Sequence, residues 1–310
     1  MNPIGYFWIT LLLAPLHLSC IKERCCGCNT KSLNDSTSLL ISFSSEYKKG
    51  SETKSSSTSF PAGIMTSIFA FSSGENPAVY PAFPGTPLTA VSDMFGNLFI
   101  NSNKYLFVPA GVYDFYSVSA NSWSLMGIEV DRGLSGPLVN GVDYLWSSGR
   151  ETKVKTNTNV SLVFFHKAAR VTITFVEGEG VRDLLIKKLY INAPKEGARM
   201  LLSTGEISPA LEVDSLRTPM IIKKKSAEQI LLPLIGGISI PFEVEIEASI
   251  LGNLVYSQVY KGVIPSPEKG FEAGNAYHFT ARVNSTSITF FGAITVEWEE
   301  KFITNIDIYD

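Results

Sequence analysis

Short runs in which apolar and polar residues alternate recur along most of the chain, and this period of two is the pattern of β-strands. In the run FEVEIEA at 242–248 the apolar residues share one face and the three glutamates share the other, which predicts a strand with one buried and one solvated face. In the run VYDFYSVS at 112–119 apolar residues occupy both faces, which predicts a strand buried in a β-sandwich. No stretch after residue 19 has a convincing helical period.

The predicted strands fall into two series that meet at the EGEG run at 177–180. Turn sequences such as PAG at 109–111 and NG at 140–141 separate the strands within a series. A chain of 310 residues is long enough for two domains, each with its own core. We therefore predict an N-terminal β-sandwich domain at 37–180 and a C-terminal β-sandwich domain at 181–310.

The N-terminus carries the pattern of an export signal. Residues 4–16 form an apolar run that is too short to span a membrane but suits the core of a signal peptide at 1–19. Leu18, Ser19 and Cys20 then resemble a bacterial lipobox, in which the cysteine thiol takes a diacylglycerol, although His17 stands where leucine is usual. We predict lipidation of Cys20 followed by a tether at 20–36; an ordinary secretory signal is the alternative.

One isolated strand precedes the two series. Leu39, Ile41 and Phe43 alternate with polar or smaller residues and mark a first strand at 39–43. The following run KKGSETKSSSTS at 48–59 has no periodic apolar residues, so it predicts an exposed, protease-sensitive loop.

Composition and charge exclude several classes of function. The formal net charge of −3 supplies no basic field for nucleic acid, so we predict no nucleic-acid partner. All four cysteines lie between Cys20 and Cys28, which leaves the folded body without a disulfide framework. Because no histidine lies near Cys25, Cys26 and Cys28 to complete a closed set of four ligands, we predict no metal site and no cofactor.

The chain also lacks the constellations of catalytic residues. After the signal the only histidines are His166 and His278, and neither lies in a nucleophile elbow or a metal-binding pair. His166 follows the apolar run at 162–165 and is interpreted as a core or strand-end histidine. Glu297 and Glu299 share one face of a strand and are interpreted as solvated. We predict that the protein is not an enzyme.

A resemblance to a known family rests on motifs in the middle and second half. The runs DYLW at 143–146 and FFHKAARVTITF at 164–175 resemble the paired motifs of the fimbrillin-like (Mfa-like) surface proteins of Bacteroides-type bacteria, which are type V pilin subunits. The runs LYINAP at 189–194, STGEI at 203–207 and LLP at 231–233 follow in the same order as in that family. The resemblance covers roughly residues 140–298.

The resemblance implies two transthyretin-like β-sandwich domains in tandem after a lipoprotein signal. It also implies a cell-surface fimbrial (pilus) subunit, or a fimbria-associated lipoprotein, that lies in the outer membrane and fimbrium. Such a protein supports adhesion and assembles with other fimbrial subunits, as a homopolymer or heteropolymer, by donor-strand exchange. Host or bacterial surface ligands are further partners that the resemblance suggests.

In that mechanism a protease removes the first strand, here 39–43, and a neighbouring subunit supplies a replacement. The usual cut follows an arginine, but this chain has none between Arg24 and Arg132, so the candidate cleavage residues are Lys48, Lys49 and Lys54. Either a lysine-tolerant protease acts, or the chain keeps its first strand and stays bound to the membrane.

The donor segment is expected among the last residues, where apolar side chains alternate. Its candidate residues are Phe302, Ile306 and Ile308, and the run at 294–298 is a second candidate. Either segment is alternatively an ordinary last strand. A different functional hypothesis is a lipid-anchored glycan-binding protein of a polysaccharide-uptake system, which a row of aromatic residues on one exposed face would favour.

Overall fold

The computed structural model describes residues 38–47, 58–100, 105–123, 128–250, 253–285 and 288–298. Every regular element in these ranges is a β-strand, which confirms the predicted all-β fold for the described part of the chain. The same ranges contain no helix that is long and apolar enough to cross a membrane. They belong to one compact unit, Thr37–Asp310, and a second unit, Met1–Ser36, lies outside the described residues.

The strands, in chain order, are β1 (Leu39–Tyr47), β2 (Thr58–Ser59), β3 (Met65–Ser72), β4 (Leu88–Ser92), β5 (Asn97–Ile100), β6 (Leu106–Val108), β7 (Gly111–Ser119), β8 (Val130–Asp131), β9 (Leu134–Ser135), β10 (Leu145–Val154), β11 (Thr158–His166), β12 (Ala169–Glu177), β13 (Val181–Ile191), β14 (Thr218–Pro219), β15 (Ile221–Lys223), β16 (Ser226–Leu231), β17 (Leu234–Ile235), β18 (Ile240–Ile250), β19 (Asn253–Ile264), β20 (Gly270–Phe271), β21 (Asn275–Val283) and β22 (Ile288–Glu297).

The first half of the described chain forms one sheet that closes on itself. Its strands lie in the order β11-β10-β7-β3-β4-β5-β1-β2, and β6 also pairs with β1. β1 pairs in parallel with β11, from Ile41 beside Thr158 to Tyr47 beside Phe164. The first strand therefore lies between β11 on one side and the antiparallel strands β2, β5 and β6 on the other.

The inward positions of this sheet build an apolar core. Phe43 of β1 meets Phe115 of β7 edge to face, with ring centroids 5.5 Å apart, and Leu162 of β11 is also buried in this cluster. From Tyr113 onwards every residue of β7 is buried, so the prediction of a strand covered on both faces is confirmed.

The second half of the described chain forms two further sheets that share a core. One has the order β15-β16-β12-β21-β22 and the other β14-β13-β18-β19. Phe175 of β12, Leu189 of β13, Val244 of β18 and Phe279 of β21 lie in one cluster, which is the packing of a β-sandwich. The predicted burial of alternate residues in β18 is confirmed.

A third apolar cluster combines residues of both halves. Phe69 and Tyr116 from the closed sheet pack with Met200, Leu202 and Leu232 from the later part of the chain. Strand pairing changes from the first sheet to the later ones between β11 and β12. The domain limits 37–180 and 181–310 stay predictions.

Candidate functional site

The inward face of β1 fills four successive positions in the core of the closed sheet. These positions are all at most 3% exposed, and they hold Ile41, Phe43, Ser45 and Tyr47. Alternation along the strand produces this arrangement, because successive side chains of a β-strand point to opposite faces. The strand therefore extends four residues beyond the predicted end at residue 43.

The outward face of β1 carries small polar residues that bond to β11. The Ser42 hydroxyl donates to Asn159 Oδ1 at 3.0 Å, and Asn159 Nδ2 donates to the Ser44 hydroxyl, also at 3.0 Å. One side chain of β11 thus contacts two residues of β1. These polar contacts lie on the solvent side, so the inward face supplies the hydrophobic part of the attachment.

The buried Ser45 lies against the backbone of Gly96. Both the backbone N–H and the hydroxyl of Ser45 donate to the carbonyl of Gly96, at 2.6 and 2.8 Å. Gly96 has a φ of +82°, and a Cβ placed there would lie 2.5 Å from the Ser45 carbonyl oxygen. The close approach of the two backbones therefore depends on glycine at 96.

The Tyr47 position is an aromatic slot with a polar end. The Tyr47 ring lies 4.8 Å from the Phe60 ring and 5.5 Å from the imidazole of His166, to which it is nearly parallel. Its hydroxyl donates to Asn121 Oδ1 at 2.9 Å. The slot is therefore suited to a tyrosine, whose ring is apolar and whose hydroxyl requires a partner when buried.

A buried polar network continues from that slot. Asn121 Nδ2 donates to one oxygen of Asp143 at 2.7 Å, and the other oxygen of Asp143 lies 2.8 Å from His166 Nδ1. The imidazole also stacks on Trp298, which follows β22. His166 is thus a buried residue at the end of β11, as predicted, and its ring is packed among aromatic side chains rather than presented to a substrate.

The described residues contain no group of three or more histidine, cysteine or acidic side chains placed to hold a metal ion.

The motifs at 143–146 and 164–175 thus contribute the two partners of this network, Asp143 and His166. The model of the fimbrillin-like family matches residues 53–298, which is most of the chain and ends on Trp298. The chain belongs to the fimbrillin-like family. No curated protein matches it in sequence.

Solved structures of candidate cell adhesion proteins share the fold of this fimbrillin-like chain. The proteins from Bacteroides uniformis and Bacteroides ovatus each give a TM-score of 0.60, at 14% and 12% identity, over 86% of this chain and 99% of theirs. A protein from Bacteroides fragilis gives a TM-score of 0.50 at 12% identity, over 86% of this chain and 100% of its own. At these identities the likeness concerns the fold alone.

Most of the predicted site residues of this fimbrillin-like chain lie outside the described residues. They are Cys20, Lys48, Lys49, Lys54, Phe302, Ile306 and Ile308. The predicted loop at 48–59 ends earlier than expected, because Thr58–Ser59 form β2 and pair with the end of β1. The second donor candidate, at 294–298, lies in β22 up to Glu297, and β22 pairs with β21.

Trp123, Tyr144 and Trp146 lie in or near predicted loops, and the last two are packed inside the fimbrillin-like fold. The Tyr144 hydroxyl accepts a hydrogen bond from the Val139 N–H, and burial raises the pKa of Tyr144. The indole of Trp146 donates to the Leu202 carbonyl at 2.7 Å. Trp123 is the member of this set that stays exposed, at 81%.

Sequence reasoning missed an aromatic group on the outer face beside β1. Phe99 is 60% exposed, Tyr105 64% and Phe107 51%, and Phe107 lies directly opposite Leu40 of β1. Tyr105 and Phe107 meet edge to face, with centroids 6.4 Å apart. The run NLFINSNKYLFV at 97–108 has apolar residues at consecutive positions, so its pattern does not indicate which rings face solvent.

Proposed function

We propose that this chain is a cell-surface fimbrial subunit or fimbria-associated lipoprotein that assembles by donor-strand exchange and supports adhesion. Family membership supports a fimbrial, adhesion-related role at the cell surface. The observation that supports strand exchange is the placement of β1, which carries four buried side chains and has ladder partners on both edges. A segment with this placement leaves a complete strand-shaped groove when it departs.

Departure of β1 would expose two kinds of unsatisfied surface. The edges of β11, β5 and β6 would lose their backbone partners, and the positions of Ile41, Phe43 and Tyr47 would become empty apolar slots. An extended segment of another subunit restores both, which is β-augmentation. In this proposal cleavage at Lys48, Lys49 or Lys54 releases the strand, and Phe302, Ile306 and Ile308 belong to the donor.

In the same proposal Cys20 carries the lipid that anchors the unprocessed chain to the outer membrane. Intact mass and N-terminal sequence of the protein from native outer membrane test this step. A diacylated Cys20 on the full-length chain indicates an anchor or accessory lipoprotein, whereas a start within 49–59 together with SDS-resistant ladders indicates a polymerising subunit. An unmodified, unprocessed chain without ladders contradicts both forms of the proposal.

A disulfide lock tests whether β1 must leave. Ser44 lies beside Ser161 in the β1–β11 ladder, and cysteines at both positions would join the two strands. The two locking cysteines are introduced into a chain whose Cys25, Cys26 and Cys28 are replaced by serine. We expect the locked chain to form no ladders until a reductant is added.

The matched control joins two strands that stay together in the proposal. Glu247 and Ser257 are neighbours in the β18–β19 ladder, so a pair of cysteines there adds a disulfide without holding β1. This control is expected to polymerise with or without reductant. Ladders from the oxidised Ser44–Ser161 lock would show that assembly does not require departure of β1.

The exposed aromatic residues beside β1 favour glycan binding as a second candidate function. Exposed rings bind sugars by stacking, and Phe99 and Phe107 lie on two strands, β5 and β6, that pair with the same side of β1. A glycan array with the intact chain, compared with the Phe99→Ala and Phe107→Ala variants, tests this function. Binding that survives both substitutions, with Trp123→Ala as control, would contradict it.

A further inference from the structure

The imidazole of His166 contacts one aromatic ring from the first strand and one from the end of the described chain. The ring of Tyr47, the last residue of β1, has its centroid 5.5 Å from that of the imidazole, and the two planes are 8° from parallel. The indole of Trp298, which directly follows β22, has its centroid 4.3 Å away, with planes 6° from parallel. We call Tyr47, His166 and Trp298 the aromatic column. It connects β1 to a residue that lies 251 positions later in the chain.

A polar route runs beside the ring contact between Tyr47 and His166. The Tyr47 hydroxyl donates to Asn121 Oδ1 at 2.9 Å, and Asn121 Nδ2 donates to Asp143 at 2.7 Å. The other oxygen of Asp143 lies 2.8 Å from His166 Nδ1. The ring and the hydroxyl of Tyr47 therefore hold the same imidazole by two routes. Because both routes begin at Tyr47, departure of this residue loosens His166 on both.

The indole of Trp298 has no hydrogen bond of its own within the described residues. It is buried, and its Nε1 has no partner there, which is unfavourable for a buried donor. It packs in a small cluster with Ala168 and Ala276, and the guanidinium of Arg170 lies 5.0 Å from the ring. The stack on His166 is the closest ring contact of this indole. The place of Trp298 therefore depends on how firmly His166 is held.

We propose that the aromatic column couples the attachment of β1 to the attachment of Trp298. Departure of β1 loosens the indole, and with it the hydrogen bond of 2.8 Å from the Trp298 N–H to the Gly274 carbonyl. Trp298 directly precedes residues 299–310, where the proposed donor residues lie. A subunit therefore offers this segment to a neighbour only after its own first strand has left.

The order of these events rests on the proposed function, whereas the coupling between Tyr47 and Trp298 does not. The coupling can be measured in a full chain that never assembles. Coupling between two sites is also reciprocal, so a loss at Trp298 must weaken the attachment of β1 by the same factor as the converse change.

The first experiment follows the backbone amide of Trp298 by hydrogen exchange and NMR. Tyr47→Ala should accelerate its exchange about fivefold or more beyond what the loss of global stability accounts for. Phe43→Ala is the matched control, because Phe43 is an equally buried aromatic residue on the same face of β1 and contacts Phe115. For this variant the corrected exchange rate should change less than about twofold. Equal acceleration in both variants would overturn the proposal.

The second experiment runs in the reverse direction. Trp298→Leu keeps an apolar side chain but removes the stack on His166, so the amides of β1 should exchange faster by the factor found for Tyr47→Ala. Ile230→Ala is the control, because Ile230 packs against the same cluster as Trp298. It should leave the corrected rates of β1 unchanged. Corrected β1 rates that stay at the parent value in Trp298→Leu would contradict the coupling.

Two further backgrounds identify the route. His166→Asn retains a side-chain nitrogen for Asp143 but has no ring, so Tyr47→Ala should no longer affect the Trp298 amide in this background. Asn121→Ala removes the polar route and leaves the rings, so an effect of Tyr47→Ala should remain. An effect that persists in full in His166→Asn, or that vanishes in Asn121→Ala, contradicts the column as the route.

The order of events is tested in a chain with a specific protease site in place of residues 50–57. After cleavage, mass spectrometry follows loss of the N-terminal piece, while Trp298 exchange and SDS-resistant ladders are followed in the same sample. Faster exchange at Trp298 before ladders form supports the inference. Ladders without faster exchange overturn it while strand exchange stands, and faster exchange without ladders supports the coupling and contradicts strand exchange. If the piece leaves and neither change follows, both fail.

Discussion

The imidazole of His166 and the indole of Trp298 lie face to face, with ring centroids 4.3 Å apart and ring planes 6° from parallel. His166 ends β11 in the closed sheet, and Trp298 follows β22 in a later sheet. The guanidinium of Arg170 lies 5.0 Å from the same indole ring. This contact joins the end of the last described strand to the network that holds the end of β1.

Replacing Trp298 should destabilise the whole described fold. Trp298 is buried, and Trp298→Ala removes the stack on His166 and leaves a cavity, at a cost of about 3–5 kcal/mol in the free energy of unfolding. Trp123→Ala is the matched control, because Trp123 is exposed and its loss should cost under about 0.5 kcal/mol. Denaturant unfolding followed by circular dichroism measures both. Equal effects would contradict the assigned role of Trp298.

Replacing Asp143 tests the buried polar network. Asp143→Ala leaves both Asn121 Nδ2 and His166 Nδ1 without their partner, and we expect a loss of about 3–5 kcal/mol. Asp143→Asn keeps the shape and an acceptor, so its loss should be smaller, about 1–3 kcal/mol. Both values come from chemical denaturation at fixed pH. An Asp143→Ala variant as stable as the parent would show that the network contributes nothing to stability.

Local periodicity predicted the elements better than it predicted their neighbours. The alternation at 242–248 gave the buried and solvated faces of β18, because side-chain direction in a strand depends only on position along it. The pairing of β1 with β11 joins residues more than a hundred positions apart, and it arises from closure of the sheet. No local pattern carries such a register.

The candidate site could be predicted from the sequence only in part, for the same reason. His166 was predicted as a strand-end residue from the apolar run before it, and this is confirmed. Its partner Asp143 lies in a motif that the sequence also singled out, but the pairing was not predicted. The β10–β11 hairpin sets Leu145 opposite His166, and this pairing brings Asp143 close to His166. The contact of His166 with Trp298 depends on packing between sheets, and no local pattern in the sequence indicates it.

Replacing Gly96 should loosen β1 specifically. Gly96→Ala adds a Cβ that would lie 2.5 Å from the Ser45 carbonyl oxygen, so the two backbones must separate. Gly74→Ala is the control, because Gly74 has a similar φ of +85° but nothing within 4 Å of an added Cβ. Gly74→Ala should lower the free energy of unfolding only by the strain of a left-handed backbone conformation, about 1–2 kcal/mol. Hydrogen exchange of the β1 amides should accelerate in Gly96→Ala. In Gly74→Ala it should change no more than the loss of global stability accounts for.

Substitutions of Tyr47 separate the ring from the hydroxyl in the attachment of β1. Tyr47→Phe keeps the contacts with Phe60 and His166 but loses the donor to Asn121, so it should cost about 1 kcal/mol. Tyr47→Ala removes the buried ring as well and should cost about 3–5 kcal/mol.

Hydrogen exchange of β1 and denaturant unfolding measure the two Tyr47 variants. The larger loss should appear first as faster exchange in β1, because the contacts that the Tyr47 ring makes with Phe60 and His166 attach this strand to its neighbours. Ser42→Ala, on the outward face of the same strand, is the control and should cost well under the Tyr47→Ala value. If Tyr47→Phe and Tyr47→Ala lowered the free energy of unfolding by the same small amount, the aromatic slot would not be what holds the end of β1. An incoming strand would then need no aromatic residue at this position.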